Sequence, residues 1–65
     1  EEYFRFVVKN DMGFYVSKTG TLTKNVEDAR TFILKDTAQM WINRTVFKYN
    51  FSVIKVKVTI EEVWT

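Results

Sequence analysis

The chain contains no cysteine, no histidine and no proline, and only two glycines among its 65 residues. Without cysteine there is no disulfide framework and no thiolate metal site. Without histidine the commonest general base and the commonest metal ligand are both missing. Serine–histidine, cysteine–histidine and zinc-hydrolase chemistry are therefore excluded by composition. The lack of proline and scarcity of glycine exclude collagen-like, linker-like and proline-rich disordered chains. No apolar run approaches the roughly 18 residues of a membrane-spanning helix, and no basic segment precedes an apolar one as in a signal peptide. The expectation is a cytoplasmic protein with no membrane partner, which the absence of cysteine fits. The chain opens on Glu1 without methionine, which suggests a trimmed or processed start. Charge of one sign is also scarce. Ten Lys and Arg against eight Asp and Glu give +2, too small an excess to mark a nucleic-acid binder and the wrong sign for an acidic nucleic-acid mimic.

What the sequence has in quantity is aromatic and aliphatic surface. Hydrophobic residues make up 46% of the chain and aromatics 17%, from six Phe, three Tyr and two Trp. A domain this small has little core and no covalent staple. Aromatic side chains, each burying roughly 150–250 Å², give it the most burial per position. The excess reads first as a consequence of size, and function can claim only the aromatics that folding leaves outside.

Alternation organises the first third. Phe4, Phe6 and Val8 share one face of a strand over residues 3–9, with Tyr3, Arg5 and Lys9 on the other. A turn at Asn10-Asp11-Met12-Gly13 leads to a second strand, Phe14 to Ser17. Another turn at Lys18-Thr19-Gly20 leads to a third, Thr21 to Lys24. Asn25 is placed to cap a single helical turn, with Asp28 three residues on. Thr31-Phe32-Ile33-Leu34 is a short apolar run, either a brief strand or the approach to the main helix. Asp36 and Gln39 form a D-x-x-Q capping box, and Ala38, Trp41, Ile42 and Thr45 follow helical spacing, so the expected helix covers residues 37–46. The last strand, residues 52–62, places Ile54, Val56, Val58 and Ile60 on one face and Lys55, Lys57, Thr59 and Glu61 on the other. It is longer than any earlier strand can pair with.

The expected fold is α+β: one domain with an antiparallel sheet of four or five strands and one α-helix packed on one face, in the order β-β-β-(β)-α-β. Phe4, Phe6, Val8, Phe14, Val16, Leu22 and the Ile54-to-Ile60 stripe would face the helix residues Ala38, Trp41 and Ile42. A single short helix cannot cover both sides of a sheet, so the other side would meet water or a partner.

Enzyme readings fail on the carboxylates. Glu61 and Glu62 are strand neighbours and point to opposite faces, and Glu27-Asp28 sits where acids favour a helix start. There is no phosphate loop and no calcium loop. The expectation is no catalytic residue, no metal and no cofactor. The two N-x-S/T sequons, at Asn43 and Asn50, read as accidental. The candidate surface is the second sheet face: Tyr3, Arg5, Tyr15, Lys55 and Lys57, with Val7, Lys9, Ser17, Val53 and Thr59 between them. Basic residues interleaved with aromatics suit single-stranded nucleic acid, although Lys and Tyr also cover a solvated sheet face well. A second candidate surface gathers Met40, Phe47, Tyr49, Phe51 and Trp64, with Phe47 and Tyr49 placed to bind a partner or a second copy. Within that group a core role fits Phe51 better.

Taken together, Tyr15-Val16-Ser17, Thr19-Gly20, the run from Asn25 to Phe32 (N-V-E-D-A-R-T-F) and Lys35-Asp36-Thr37-Ala38 resemble a recurrent type of short accessory protein of phages and prophages of low-GC Gram-positive bacteria. The resemblance covers residues 3–45. It implies a protein of the host cytoplasm, without catalytic residues, that binds a host or phage protein and in some cases inhibits host replication, transcription or defence. No functional residue carries over from it. Three functions follow as expectations. The first is a non-enzymatic protein-binding module acting through the tyrosine-and-lysine face or an exposed sheet edge, possible also as a homodimer. The second is a single-stranded nucleic-acid-binding domain. The third is a piece of a larger tail or capsid component.

Overall fold

The computed structural model describes residues 1–45 and 50–63. The fold is α+β, a four-stranded antiparallel sheet carrying one α-helix. The strands are β1 (Glu2–Asn10), β2 (Tyr15–Val16), β3 (Leu22–Thr23) and β4 (Phe51–Thr59), in the spatial order β3-β2-β1-β4. Helix α1 (Lys35–Asn43) precedes β4, and a 3-10 turn spans Val26–Asp28. The expected meander is present with short second and third strands. The optional extra strand is reduced to two isolated bridges, Phe6 with Phe32 and Ser17 with Ala29.

Both tight turns use the glycines as expected. Gly13 and Gly20 lie at φ +88°, a region open to glycine at no steric cost. In the first turn the Asn10 side-chain oxygen accepts from the backbone N–H groups of Met12 (3.0 Å) and Phe14 (2.9 Å). In the second, the buried Ser17 hydroxyl accepts from Thr21 N–H at 3.1 Å and bonds the Thr21 hydroxyl at 2.8 Å, which satisfies its polar atom.

The helix starts two residues earlier than its sequence signals indicate. Leu34 is the N-cap and makes no side-chain cap bond, so Asp36 and Gln39 form no capping box. Asp36 instead sits in the first turn, where its charge complements the helix dipole. Gln39 donates to the Asn43 side-chain oxygen at 3.1 Å, an i,i+4 pair on the exposed face. The helix also ends sooner than expected: Asn43 is its last residue and Arg44 its C-cap, short of the expected end at residue 46, which itself lies outside the described residues. The turn at Asn25 likewise lacks a side-chain cap bond.

The core gathers Val8, Val16, Phe32, Ala38 and Ile42, all buried, with Phe6, Trp41, Phe51 and Val53 packed against it. Trp41 and Phe51 meet edge to face at 5.7 Å. This core occupies only one end of the molecule, which measures 45 × 22 × 18 Å along its principal axes. The reason is length: a helix of nine residues reaches about 13 Å, whereas the strands it packs on, nine residues each, run about 30 Å.

The register of β1 with β4 overturns part of the expected core. Phe4 faces Lys57, Phe6 faces Lys55 and Val8 faces Val53, while Tyr3, Arg5 and Val7 face Val58, Val56 and Ile54. Directly opposed residues share a face. Ile54, Val56 and Val58 therefore lie on the side away from the helix, and Val53, Lys55 and Lys57 on the helix side. Phe4, Leu22, Ile54 and Ile60 are exposed rather than core. The strand is also no longer than its partner: β4 pairs with β1 along all nine residues.

Candidate functional site

The five residues nominated on one sheet face are divided between two. Tyr3, Arg5 and Tyr15 share the face away from the helix, since Tyr15 stands opposite Lys9 in β2. Lys55 and Lys57 project on the other face. The physical reason is parity. Phe51 packs on the core, and side chains alternate along an unbroken strand, so Val53, Lys55 and Lys57 must follow Phe51 to its side. That signal was present in the sequence: a core role for Phe51 is incompatible with Val53 on the opposite face. Phe47 and Tyr49 lie outside the described residues, as does Trp64. Met40 is exposed on the helix, and Phe51 is half-buried in the core.

The aromatic residues are already engaged. The Arg5 guanidinium lies 4.3 Å from the Tyr3 ring centre, and Lys9 Nζ lies 5.3 Å from that of Tyr15. On the helix side Lys55 Nζ lies 4.5 Å from the Phe4 ring centre, and Lys57 Nζ pairs with Glu2 at 3.1 Å. Both partners of that ion pair are more than half exposed, so it is screened and weak.

The face away from the helix is not a bare surface. The segment from Val26 to Thr31 approaches it, and Val26, Glu27 and Thr31 line an open groove of about 460 Å³ with Val7, Val56 and Val58. Val7 is fully buried on that side. The expectation that the second face is left to water or a partner is thus corrected for its central part. Among the described residues no group of three or more Asp or Glu is placed to hold a metal ion. Among them, too, no helix is long and apolar enough to cross a membrane.

The feature that sequence reasoning left least developed is the free side of β4. This strand ends the sheet, and among the described residues no backbone segment pairs with its outer edge. Which groups point outward follows from the ladder. Ile60 N–H donates to the Glu1 carbonyl at 2.7 Å, the Glu1 ammonium donates to the Ile60 carbonyl at 2.8 Å, and Asp11 N–H donates to the Asn50 carbonyl at 2.9 Å. Bonded pairs alternate along an antiparallel ladder. Ser52, Ile54, Val56 and Val58 therefore direct their N–H and C=O groups at β1, and Phe51, Val53, Lys55, Lys57 and Thr59 direct theirs outward. On β1 the even positions serve the other neighbours, as the paired bonds of Phe6 with Phe32 (both 2.8 Å) confirm.

No protein-family model, no curated protein and no solved structure matches this chain.

Proposed function

We propose that the chain is a non-enzymatic protein-binding module, a small phage-encoded modulator or inhibitor of a host replication, transcription or defence protein. In this reading it docks by adding a strand of its target to β4. The observation that carries the reading is the open edge: nine residues of regular strand, with the backbone groups of every second residue unpaired among the described residues. Such a row is a ready template for an extended segment, because main-chain hydrogen bonds supply affinity and alternate side chains supply selectivity. The resemblance supplies the phage origin and the host target.

Single-stranded nucleic acid is the weaker reading. Its support was a continuous basic and aromatic face, and the register splits the lysines from the tyrosines. Arg5 and Lys9 also lie over the rings on which bases would stack.

The test is capture of a partner from host lysate with the wild-type chain and two variants. Lys57→Pro removes an outward N–H and leaves the ladder to β1 intact, since proline is tolerated where the N–H faces solvent. It is expected to lose the captured protein while remaining folded by circular dichroism. Tyr3→Ala with Arg5→Ala is expected to keep it. The reverse result moves the binding surface from the edge to the sheet face. Steep salt-dependent binding of labelled oligonucleotides would favour the nucleic-acid reading.

A further inference from the structure

The side chains beside the open edge specify what kind of segment fits it. The residues whose backbone groups point outward include Lys55 and Lys57, two positions apart on the helix side of the sheet. Between them Val56 projects to the opposite face beside the groove. An incoming antiparallel strand therefore meets cation, aliphatic, cation at three successive positions. Opposite charges directly across a ladder stabilise it and like charges destabilise it.

We propose that the β4 edge takes an extended segment with acidic residues at two alternate positions and an aliphatic residue between them. The acids stand opposite Lys55 and Lys57 and the aliphatic residue lies beside Val56. The proposal rests on the edge-docking reading above and adds the chemistry of the partner. A second copy of the chain fits less well, because full-length antiparallel pairing of two β4 strands sets the two Lys55 side chains against each other. Lysine on an edge is a common guard against such self-pairing. Here the same two lysines leave the edge open to a segment of opposite charge. Glu2, paired with Lys57 at 3.1 Å, competes for one of them.

The experiment uses the whole chain and a synthetic peptide, Thr-Val-Glu-Val-Glu-Val-Thr, followed by NMR titration and amide hydrogen exchange. Binding is expected to protect the amides of Val53, Lys55 and Lys57 and to leave those of Ile54 and Val56, already bonded to β1, little changed. The double variant Lys55→Glu, Lys57→Glu is expected to weaken binding about tenfold, and a peptide with Lys in place of Glu to recover it on that variant. Glu2→Gln frees Lys57 and is expected to tighten binding about twofold. A peptide with both acids moved by one position, onto the groove face, is expected to bind more weakly than the original. Equal binding by the charge-reversed variant, or protection confined to residues away from β4, overturns the proposal. So does concentration-dependent dimerisation that protects the same amides, because the edge then takes a second copy. The edge-docking reading fails separately: if Lys57→Pro still captures the natural partner, the edge is not the docking surface at all. If that capture is lost but the acidic peptide does not bind, the edge stands and the acidic chemistry falls.

Discussion

The two ends of the β1–β4 ribbon have the same strand pairing and different fates. At one end Phe6 and Val8 on β1 and Phe51 and Val53 on β4 lie under the helix, and Ile42, Ala38 and Phe32 close over them. At the other end Phe4, Lys55 and Lys57 project from the same face with no helix above, and Phe4 is 52% exposed. The hydrogen-bond ladder runs through both ends. On this face only the first gains from apolar burial, which supplies most of the stabilisation in a small domain. The distal end has only the partial cover of the Val26–Thr31 segment on its other face, beside Val56 and Val58. A strand pair with so thin a layer is marginal by itself, so it is held largely by its continuity with the covered end.

That contrast can be broken most strongly at its covered end. Ile42→Ala empties a site that is 2% exposed and should cost about 2–5 kcal/mol, read as a loss of cooperative thermal unfolding or a sharp fall in its midpoint. The paired substitutions Phe6→Ala and Phe4→Ala compare the same residue type on the same face of the same strand. The first should cost about 3 kcal/mol and the second about 1 kcal/mol or less, the latter mostly the lost Lys55–ring contact, by urea denaturation. Equal costs would show that the helix does not set the boundary between the two ends. A finer comparison runs across β4. Val56→Pro removes a bond to β1 and Lys57→Pro does not, so the first should be less stable by about 1–3 kcal/mol. In a domain of this size each kcal/mol moves the melting midpoint by roughly 4–8 °C. The smallest effect is expected at the helix start: Asp36→Ala should cost about 0.3–0.5 kcal/mol, the dipole contribution alone, because the side chain caps nothing. A loss near 1 kcal/mol would instead indicate a cap bond. Native-state hydrogen exchange maps the whole contrast at once, with Val8 and Val16 amides expected to outlast those of Tyr3 and Arg5.

Local chemistry made much of this fold legible. The two glycine turns, the alternation of β1 and the helical spacing of Ala38, Trp41 and Ile42 each depend on neighbours within a few residues. Each is found where the residues indicate. The capping box was misleading for the same local reason: Asp36 and Gln39 have the right spacing, but the chain enters the helix from the Phe32 bridge and begins its first turn two residues sooner. The candidate site was legible only in part. Tyr3, Arg5 and Tyr15 are on one face as their parity requires, whereas the open edge of β4 depends on the strand order, which pairing between distant strands decides and local periodicity does not.

Composition and periodicity by themselves determined a small α+β domain, its turns, its helix and the two faces of each long strand, because those properties are set by the backbone period and by a few neighbouring side chains. Only the tertiary structure decided which face of β4 meets which face of β1. The two strands are separated by 40 residues, so no turn fixes their register. A shift of one position exchanges the lysine stripe with the isoleucine and valine stripe. Packing of Phe51 and Val53 under a helix too short to reach farther made that choice, and it set Lys55 and Lys57 along the open edge instead of beside the tyrosines.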